Sequence, residues 1–202
     1  MSDGLVLTHG AGGNARVHFL VALARAFEAG GFTVLRYDLP FRQARPKGPP
    51  RPSDAARDRE GLRQAVQSLR AQVSGRVFLG GQSYGGRQAS ILAAGAPGLA
   101  DALLLLSYPL HPPRRHTELR TAHFPALGTP ALFVHGAADP FGTPDELESA
   151  RKLIPARTSL LPVEGAGHDL YRRGGRVTVE AIVAAFLHFL EEDERCGETQ
   201  GR

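Results

Sequence analysis

Cysteine is almost missing from this 202-residue chain: Cys196 stands alone. One thiol cannot close an internal disulfide, so a reducing, cytoplasmic setting is expected. Cys196 also lies in a polar C-terminal stretch. No glycine-rich turn or apolar strand presents it, so a nucleophilic role is not expected. No apolar run reaches the roughly 20 uncharged residues of a membrane-spanning helix, and the run Ala102–Leu106 fits a buried strand instead. The N-terminal MSDGLVLTHG has neither a basic region nor a cleavable apolar stretch of signal-peptide length, so export by that route is not indicated. Lysine is scarce as well. Every basic residue except Lys47 and Lys152 is arginine, and the net charge is +4. Those arginines are scattered rather than gathered into a stripe, so nucleic acid is not the expected partner.

Hydrophobic residues make up 42% of the chain and charged residues 22%. That balance suits one folded domain with a substantial core, over residues 1–194, followed by a polar tail over 195–202. Short apolar runs alternate with helical patterns, the signature of βαβ units and a mainly parallel sheet of about six strands. The strands are expected at Leu5–Thr8, Thr33–Arg36, Arg76–Leu79, Ala102–Leu106, Ala131–His135 and Ser159–Pro162. Most lack alternation, as strands covered on both faces do.

Helices are expected at Val17–Ala29, stopped by Gly30-Gly31, and from a Ser53 cap to about Val73, with Leu62, Val66, Leu69 and Val73 on one face. Others are expected at Gly85–Ala94 and at Pro144–Leu153 behind a Thr143 cap. The last carries Val179, Ile182, Val183, Phe186, Leu187 and Leu190 as its apolar stripe and frays beyond Glu191. Two long loops, Pro40–Pro52 and Ser107–Pro130, follow strands. They either border a site at the carboxyl edge of the sheet or are exposed connections.

The most informative stretch runs from Arg76 to Leu92. Its Gly81-Gln82-Ser83-Tyr84-Gly85 matches G-x-S-x-G, with an apolar strand before it and a helix after it. In that setting a serine is lifted on a strained turn above the sheet edge. Glycines at 81 and 85 avoid crowding the neighbouring strand and helix. The following helix aims free N–H groups at the site, and the Tyr84 N–H is the expected oxyanion donor. A phosphate-binding turn is the bland alternative, but the lysine or acidic ribose ligand it needs is not spaced for it.

A serine nucleophile needs a base, and the base needs an orienting carboxylate. The chain order for such a serine is nucleophile, acid, histidine. Asp139, just past an apolar strand and before Pro140, is the expected acid. His168, in the glycine-flanked loop after the last strand, is the expected base. Glu164 and Asp169 are weaker acid candidates, being too near His168 in sequence to orient it. The loop His9–Gly13 supplies the second oxyanion donor, Ala11, with Gly12 as the alternative. His9 and His135 are expected to brace their loops. Substrate contacts are expected from Gly12, Arg87 and His111.

The segments HGAGG at His9–Gly13, GQSYGGR at Gly81–Arg87, SYPLHPP at Ser107–Pro113 and HGAADPFG at His135–Gly142 together resemble the α/β-hydrolase superfamily. The likeness is greatest to its small dienelactone-hydrolase-like group. Within that group it falls near a branch that includes a subunit of the non-specific-lethal chromatin complex and its short bacterial relatives. The resemblance implies a three-layer α/β fold, here without the superfamily's two leading strands and without a large cap. It also implies a serine hydrolase acting on an ester-like small molecule through an acyl-enzyme. A dienelactone hydrolase proper carries cysteine where this chain has Ser83, which weighs against dienelactone itself as substrate. No metal or organic cofactor is called for, since no His/Cys/Asp cluster has zinc-site spacing. A binding scaffold that retains the fold, or acyl transfer to an acceptor other than water, are the alternatives. The two long loops and their surroundings carry Arg42, Arg45, Lys47, Arg51, Arg114, Arg115 and Arg120. These either form a cationic rim favouring small or carboxylate-bearing esters or are a solvated surface. Arg87 either joins that rim or pairs with a structural acid.

Overall fold

The computed structural model describes residues 2–170 and 178–200, with only the backbone described over 193–200. Six strands form one parallel sheet: β1 (Gly4–Thr8), β2 (Thr33–Tyr37), β3 (Val77–Gln82), β4 (Leu103–Leu106), β5 (Ala131–Gly136) and β6 (Thr158–Val163). Their spatial order is β2-β1-β3-β4-β5-β6. The inner strands β1, β4 and β5 are buried along their whole length, whereas the edge strands β2 and β6 are only partly covered. This is why the inner runs read as unbroken Val, Leu and Phe rather than as alternation.

Helices cover both faces. On one lie α1 (His18–Ala29) and α6 (Val179–Gln200). They bury Phe19, Leu20, Leu23 and Phe27 against Ile182, Phe186 and Phe189. The rings of Phe27 and Phe78 both meet the Phe186 ring edge-on, 5.9 and 5.4 Å between centroids, a geometry that adds to plain area burial. On the other face lie α3 (Ala55–Arg70), α4 (Tyr84–Gly95) and α5 (Pro144–Arg151), packed on Val6, Leu79, Leu105 and Phe133. The result is the expected three-layer α/β fold.

Four expectations need correction. The segment Pro40–Pro52 is not all loop: Pro40–Ala44 forms a short helix, α2, started by Pro40 and anchored by the buried Phe41. Ser53 does not cap α3. It sits inside a 3-10 turn at Pro52–Asp54, and the Asp54 carboxylate takes the Arg51 N–H at 2.8 Å instead. The apolar stripe of α6 also includes the buried Phe189, beside a Leu187 that packs on the core only partly covered. Finally, α6 does not end near Glu191 but runs to Gln200, in keeping with the good helix propensity of its Glu and Arg residues.

The strand order locates the site. From β1 the chain moves to β2 on one side, then crosses back to β3 on the other. The loops after β1 and β3 therefore diverge, leaving a crevice at the carboxyl edge between them. His9–Gly13 and Ser83 are the residues that follow those two strands.

Candidate active site

Ser83 sits at the turn between β3 and α4 with φ 51° and ψ −114°. A non-glycine residue there costs about 1–3 kcal/mol and persists only where its surroundings enforce it. Here the Ser83 N–H donates to the Leu106 carbonyl at 2.8 Å, tying the turn to β4. A Cβ at position 81 would come within 2.5 Å of the Gly86 nitrogen, and one at 85 within 2.5 Å of the His9 carbonyl oxygen. Both contacts are backbone and cannot yield, so the two flanking glycines are obligatory.

The Ser83 hydroxyl lies 2.8 Å from His168 Nε2. On the other side of the ring, Nδ1 is 2.8 Å from Asp139 Oδ2. Asp139 is buried, and its second oxygen accepts the Phe141 N–H at 2.9 Å. With both carboxylate oxygens engaged, the acid is fixed, and it fixes the imidazole with Nδ1–H toward itself and the Nε2 lone pair toward the serine. The Phe141 ring packs on the His168 ring at 4.3 Å. The backbone sets this up: Ala137 and Ala138 N–H groups donate to the Val163 and Ala166 carbonyls, joining the acid loop to the histidine loop. The residues expected from sequence as nucleophile, acid and base thus converge from the ends of β3, β5 and β6. Asp139, rather than Glu164 or Asp169, takes His168 Nδ1.

These groups open on a cleft of about 780 Å³, a volume typical of small-molecule sites. Ala11, Gly12 and Tyr84 line it beside Ser83. Among the described residues, no protein acceptor engages the N–H of Ala11, Gly12 or Tyr84. Free N–H groups at the first turn of a helix and in an adjoining glycine loop can receive developing negative charge.

His9 braces that loop, as expected. The Leu39 N–H donates to its Nε2 at 3.1 Å, which leaves Nδ1–H to donate to the Gly10 carbonyl at 2.8 Å. His135 likewise donates from Nε2 to the Gly142 carbonyl at 2.7 Å, holding the turn beyond Asp139. His111 is the exception among the expected site residues. It is fully buried, does not line the cleft, and faces Glu146 at 3.5 Å. Its backbone N–H donates to the Phe141 carbonyl, so it supports the acid loop from behind rather than meeting a ligand. With His116 and Glu146 it forms the one group among the described residues whose ligand atoms could surround a metal ion, all within 4.8 Å of one another. Local sequence spacing did not reveal this group because Glu146 comes from α5.

The loop cations divide by role. Arg42 is buried and donates from Nε to the Gly13 carbonyl at 2.8 Å and from Nη2 to the Ala11 carbonyl at 2.9 Å. It is a strut for the candidate oxyanion loop, not part of a rim. Arg45 pairs with Asp54 and Arg115 with Glu118. Only Arg51 and Arg120 of the loop set line the cleft, together with Arg87. Arg42→Lys keeps the charge but loses the fork that spans two carbonyls. It is expected to lower kcat for an ester about 10-fold with little change in KM, measured by steady-state kinetics.

Sequence reasoning missed Asp58. Its buried carboxylate accepts the Phe41 N–H at 2.9 Å and the Tyr84 hydroxyl at 2.8 Å, linking α2, α3 and the start of α4. The signal was present: Asp58 falls one turn before Leu62 on the apolar face of α3, where an unpartnered acid would not survive.

The buried histidines make stability pH-dependent. Burial, and after it the Arg87 guanidinium, pushes His123 down to about 4. Burial also lowers His9 and His135. Unfolding releases these rings to their ordinary value near 6.5, so between about 6.5 and 4 the unfolded chain binds more protons than the folded one. Stability is therefore whole above about pH 6.5 and declines as pH falls toward 4. Urea midpoints measured across that range should fall with pH, and His123→Gln should flatten the slope.

A parallel sheet with a serine on a strand–turn–helix elbow, followed in order by Asp and His, defines the α/β-hydrolase class. The chain belongs to the family described as alpha/beta hydrolase domain, which matches it over residues 2–186. It is similar in structure to TT1662 from Thermus thermophilus, with TM-score 0.70 and 24% identity over 95% of this chain and 88% of that one. Est1E from Butyrivibrio proteoclasticus aligns with TM-score 0.72 and 18% identity over 94% and 89%. Dienelactone hydrolase from Anabaena variabilis aligns with TM-score 0.67 and 20% identity over 91% and 82%. A stretch of 81 residues is 41% identical to polyketide synthase ThaQ of Burkholderia thailandensis, covering 40% of this chain and 4% of that protein. The chain therefore spans only a small fraction of that relative's length. Family membership and these neighbours support a hydrolase. Among the described residues, no helix is long and apolar enough to cross a membrane.

Proposed function

We propose that this protein is a cytoplasmic serine hydrolase that cleaves a small carboxylic ester, or a related acyl compound, through an acyl-enzyme. His168 Nε2 takes the Ser83 proton as Oγ attacks the carbonyl carbon. The carbonyl electron pair moves onto oxygen, which the N–H groups of Ala11 and Tyr84 receive. The tetrahedral species collapses, the C–O bond to the alcohol breaks, and His168 hands its proton to the departing oxygen. Water then repeats the sequence on the acyl-enzyme and releases the acid and free Ser83. Asp139 stays ionised and orients His168 throughout. The observation that carries this reading is the unbroken relay Asp139–His168–Ser83, 2.8 Å at each link, opening on a cleft.

The reading is tested with 4-nitrophenyl esters of graded chain length and a fluorophosphonate probe. Burst release of nitrophenol and covalent labelling of Ser83 are expected. A chain that neither turns over any ester nor takes up the probe would be a scaffold rather than an enzyme.

A further inference from the structure

The walls of the cleft are unbalanced in charge and in hydrogen-bonding character. Arg51, Arg87 and Arg120 line it, and among the described residues no aspartate or glutamate does. Arg87 lies in the first turn of α4, and its backbone N–H donates to the Ser83 carbonyl at 2.9 Å. Among the described residues its guanidinium makes no hydrogen bond or ion pair, and its Nε is buried without a partner. Gln88, the next residue, is fully buried. Its Oε1 accepts from Arg59 Nη1 at 2.8 Å, which settles which way the amide points, and its Nε2 is a second buried donor with no partner. Among the described residues, the Arg120 guanidinium gives one bond, of 3.3 Å to the Pro109 carbonyl, and has no carboxylate within ion-pair distance. Burial and then the nearby Arg87 charge both disfavour the Arg120 charge, so the two guanidiniums repel each other across the pocket wall.

Unpaired buried donors cost roughly 1–3 kcal/mol each, and more when charged. A folded chain that gathers two of them with a second guanidinium beside a candidate nucleophile is built to receive acceptors. Salt-bridge partners for these arginines would have been easy to supply, as Asp54 does for Arg45 and Arg57.

We infer that Arg87, Gln88 and Arg120 form a carboxylate-binding subsite and that the preferred substrate is a short ester carrying a free carboxylate. This rests on the hydrolase reading above. A planar carboxylate offers up to four acceptor positions to a guanidinium fork and an amide N–H. Bound there, it would hold the ester carbonyl a few bonds away over Ser83 Oγ. The carboxylate can sit on the acyl side or on the alcohol side, and two substrate pairs separate these.

The acyl pair is mono-(4-nitrophenyl) glutarate against 4-nitrophenyl pentanoate. The alcohol pair is 4-acetoxybenzoate against 4-methylphenyl acetate. Rates are corrected with Ser83→Ala protein, since a neighbouring carboxylate speeds spontaneous hydrolysis. In at least one pair the anionic ester should have the higher kcat/KM by about 10- to 100-fold, expressed mainly in KM, and the ratio should shrink as salt rises. Arg87→Gln should collapse that ratio, and Arg87→Lys should restore part of it. Binding is read separately: glutarate dianion should raise the unfolding temperature of Ser83→Ala protein but not of the Ser83→Ala/Arg87→Gln double variant. Ratios near one in both pairs, unmoved by salt or by Arg87→Gln, would overturn the subsite while leaving the hydrolase reading intact. Failure to hydrolyse any ester, with glutarate still bound through Arg87, would overturn the hydrolase reading and leave the subsite standing.

Discussion

Ser83→Ala is expected to abolish ester hydrolysis and fluorophosphonate labelling together, with kcat falling about 10⁴- to 10⁶-fold. The reason is that, among the described residues lining the cleft, Ser83 is the hydroxyl that the His168 imidazole engages. Cys196 belongs to α6, on the face of the sheet that packs α1. Among the described residues no lysine lines the cleft, and Tyr84 is held to Asp58 with its phenol pushed up by burial and by that hydrogen bond. Removing one hydroxyl leaves the relay of His168 and Asp139 and the backbone of the elbow in place, so the fold should survive. The measurement is intact-mass spectrometry after probe treatment, beside steady-state kinetics and a melting curve. Labelling that persists on the variant at another residue would remove Ser83 as the nucleophile.

His168→Ala should cost about as much as the serine change, and Asp139→Asn about 10⁴-fold in kcat. The asparagine is informative because it keeps the size of the acid. Its amide nitrogen can donate to His168 Nδ1, which would stabilise the wrong tautomer and turn an N–H toward Ser83 instead of a lone pair. Combining Ser83→Ala with His168→Ala should add little to either alone, since the groups act only as a unit. Loss of activity in Glu164→Gln or Asp169→Asn, with Asp139→Asn still active, would move the acid elsewhere. The two buried links at Asp139 make that an improbable geometry: one carboxylate oxygen holds Phe141 N–H and the other holds the imidazole.

The arginines show why some of the site resisted reading from sequence. Arg42, Arg45 and Arg51 lie within ten residues of one another and look alike in a string of letters. One is a buried strut under the glycine loop, one is neutralised by Asp54, and one faces the cleft. What separates them is which carbonyl or carboxylate lies within 3 Å after folding, and those acceptors come from other segments. His111 was misjudged for the same cause. It stands in a loop that borders the cleft, but its ring points inward to Glu146 on α5. The helix at Pro40–Ala44 was hidden by the prolines around it, because a five-residue element has too little periodicity to register.

The sequence by itself determined the three-layer sheet-and-helix architecture and the order of serine, acid and histidine. Both are local: inner strands must be continuous apolar runs, and a serine elbow needs small residues at 81 and 85 whatever surrounds it. Tertiary structure alone decided how the loops meet across the carboxyl edge. It set His168 between Ser83 and Asp139, put Arg42 beneath Ala11, and left Arg87 Nε and Gln88 Nε2 without partners among the described residues. Those outcomes depend on contacts between residues far apart in the chain, where a shift of an ångström makes or breaks a hydrogen bond, and no spacing in the sequence encodes it.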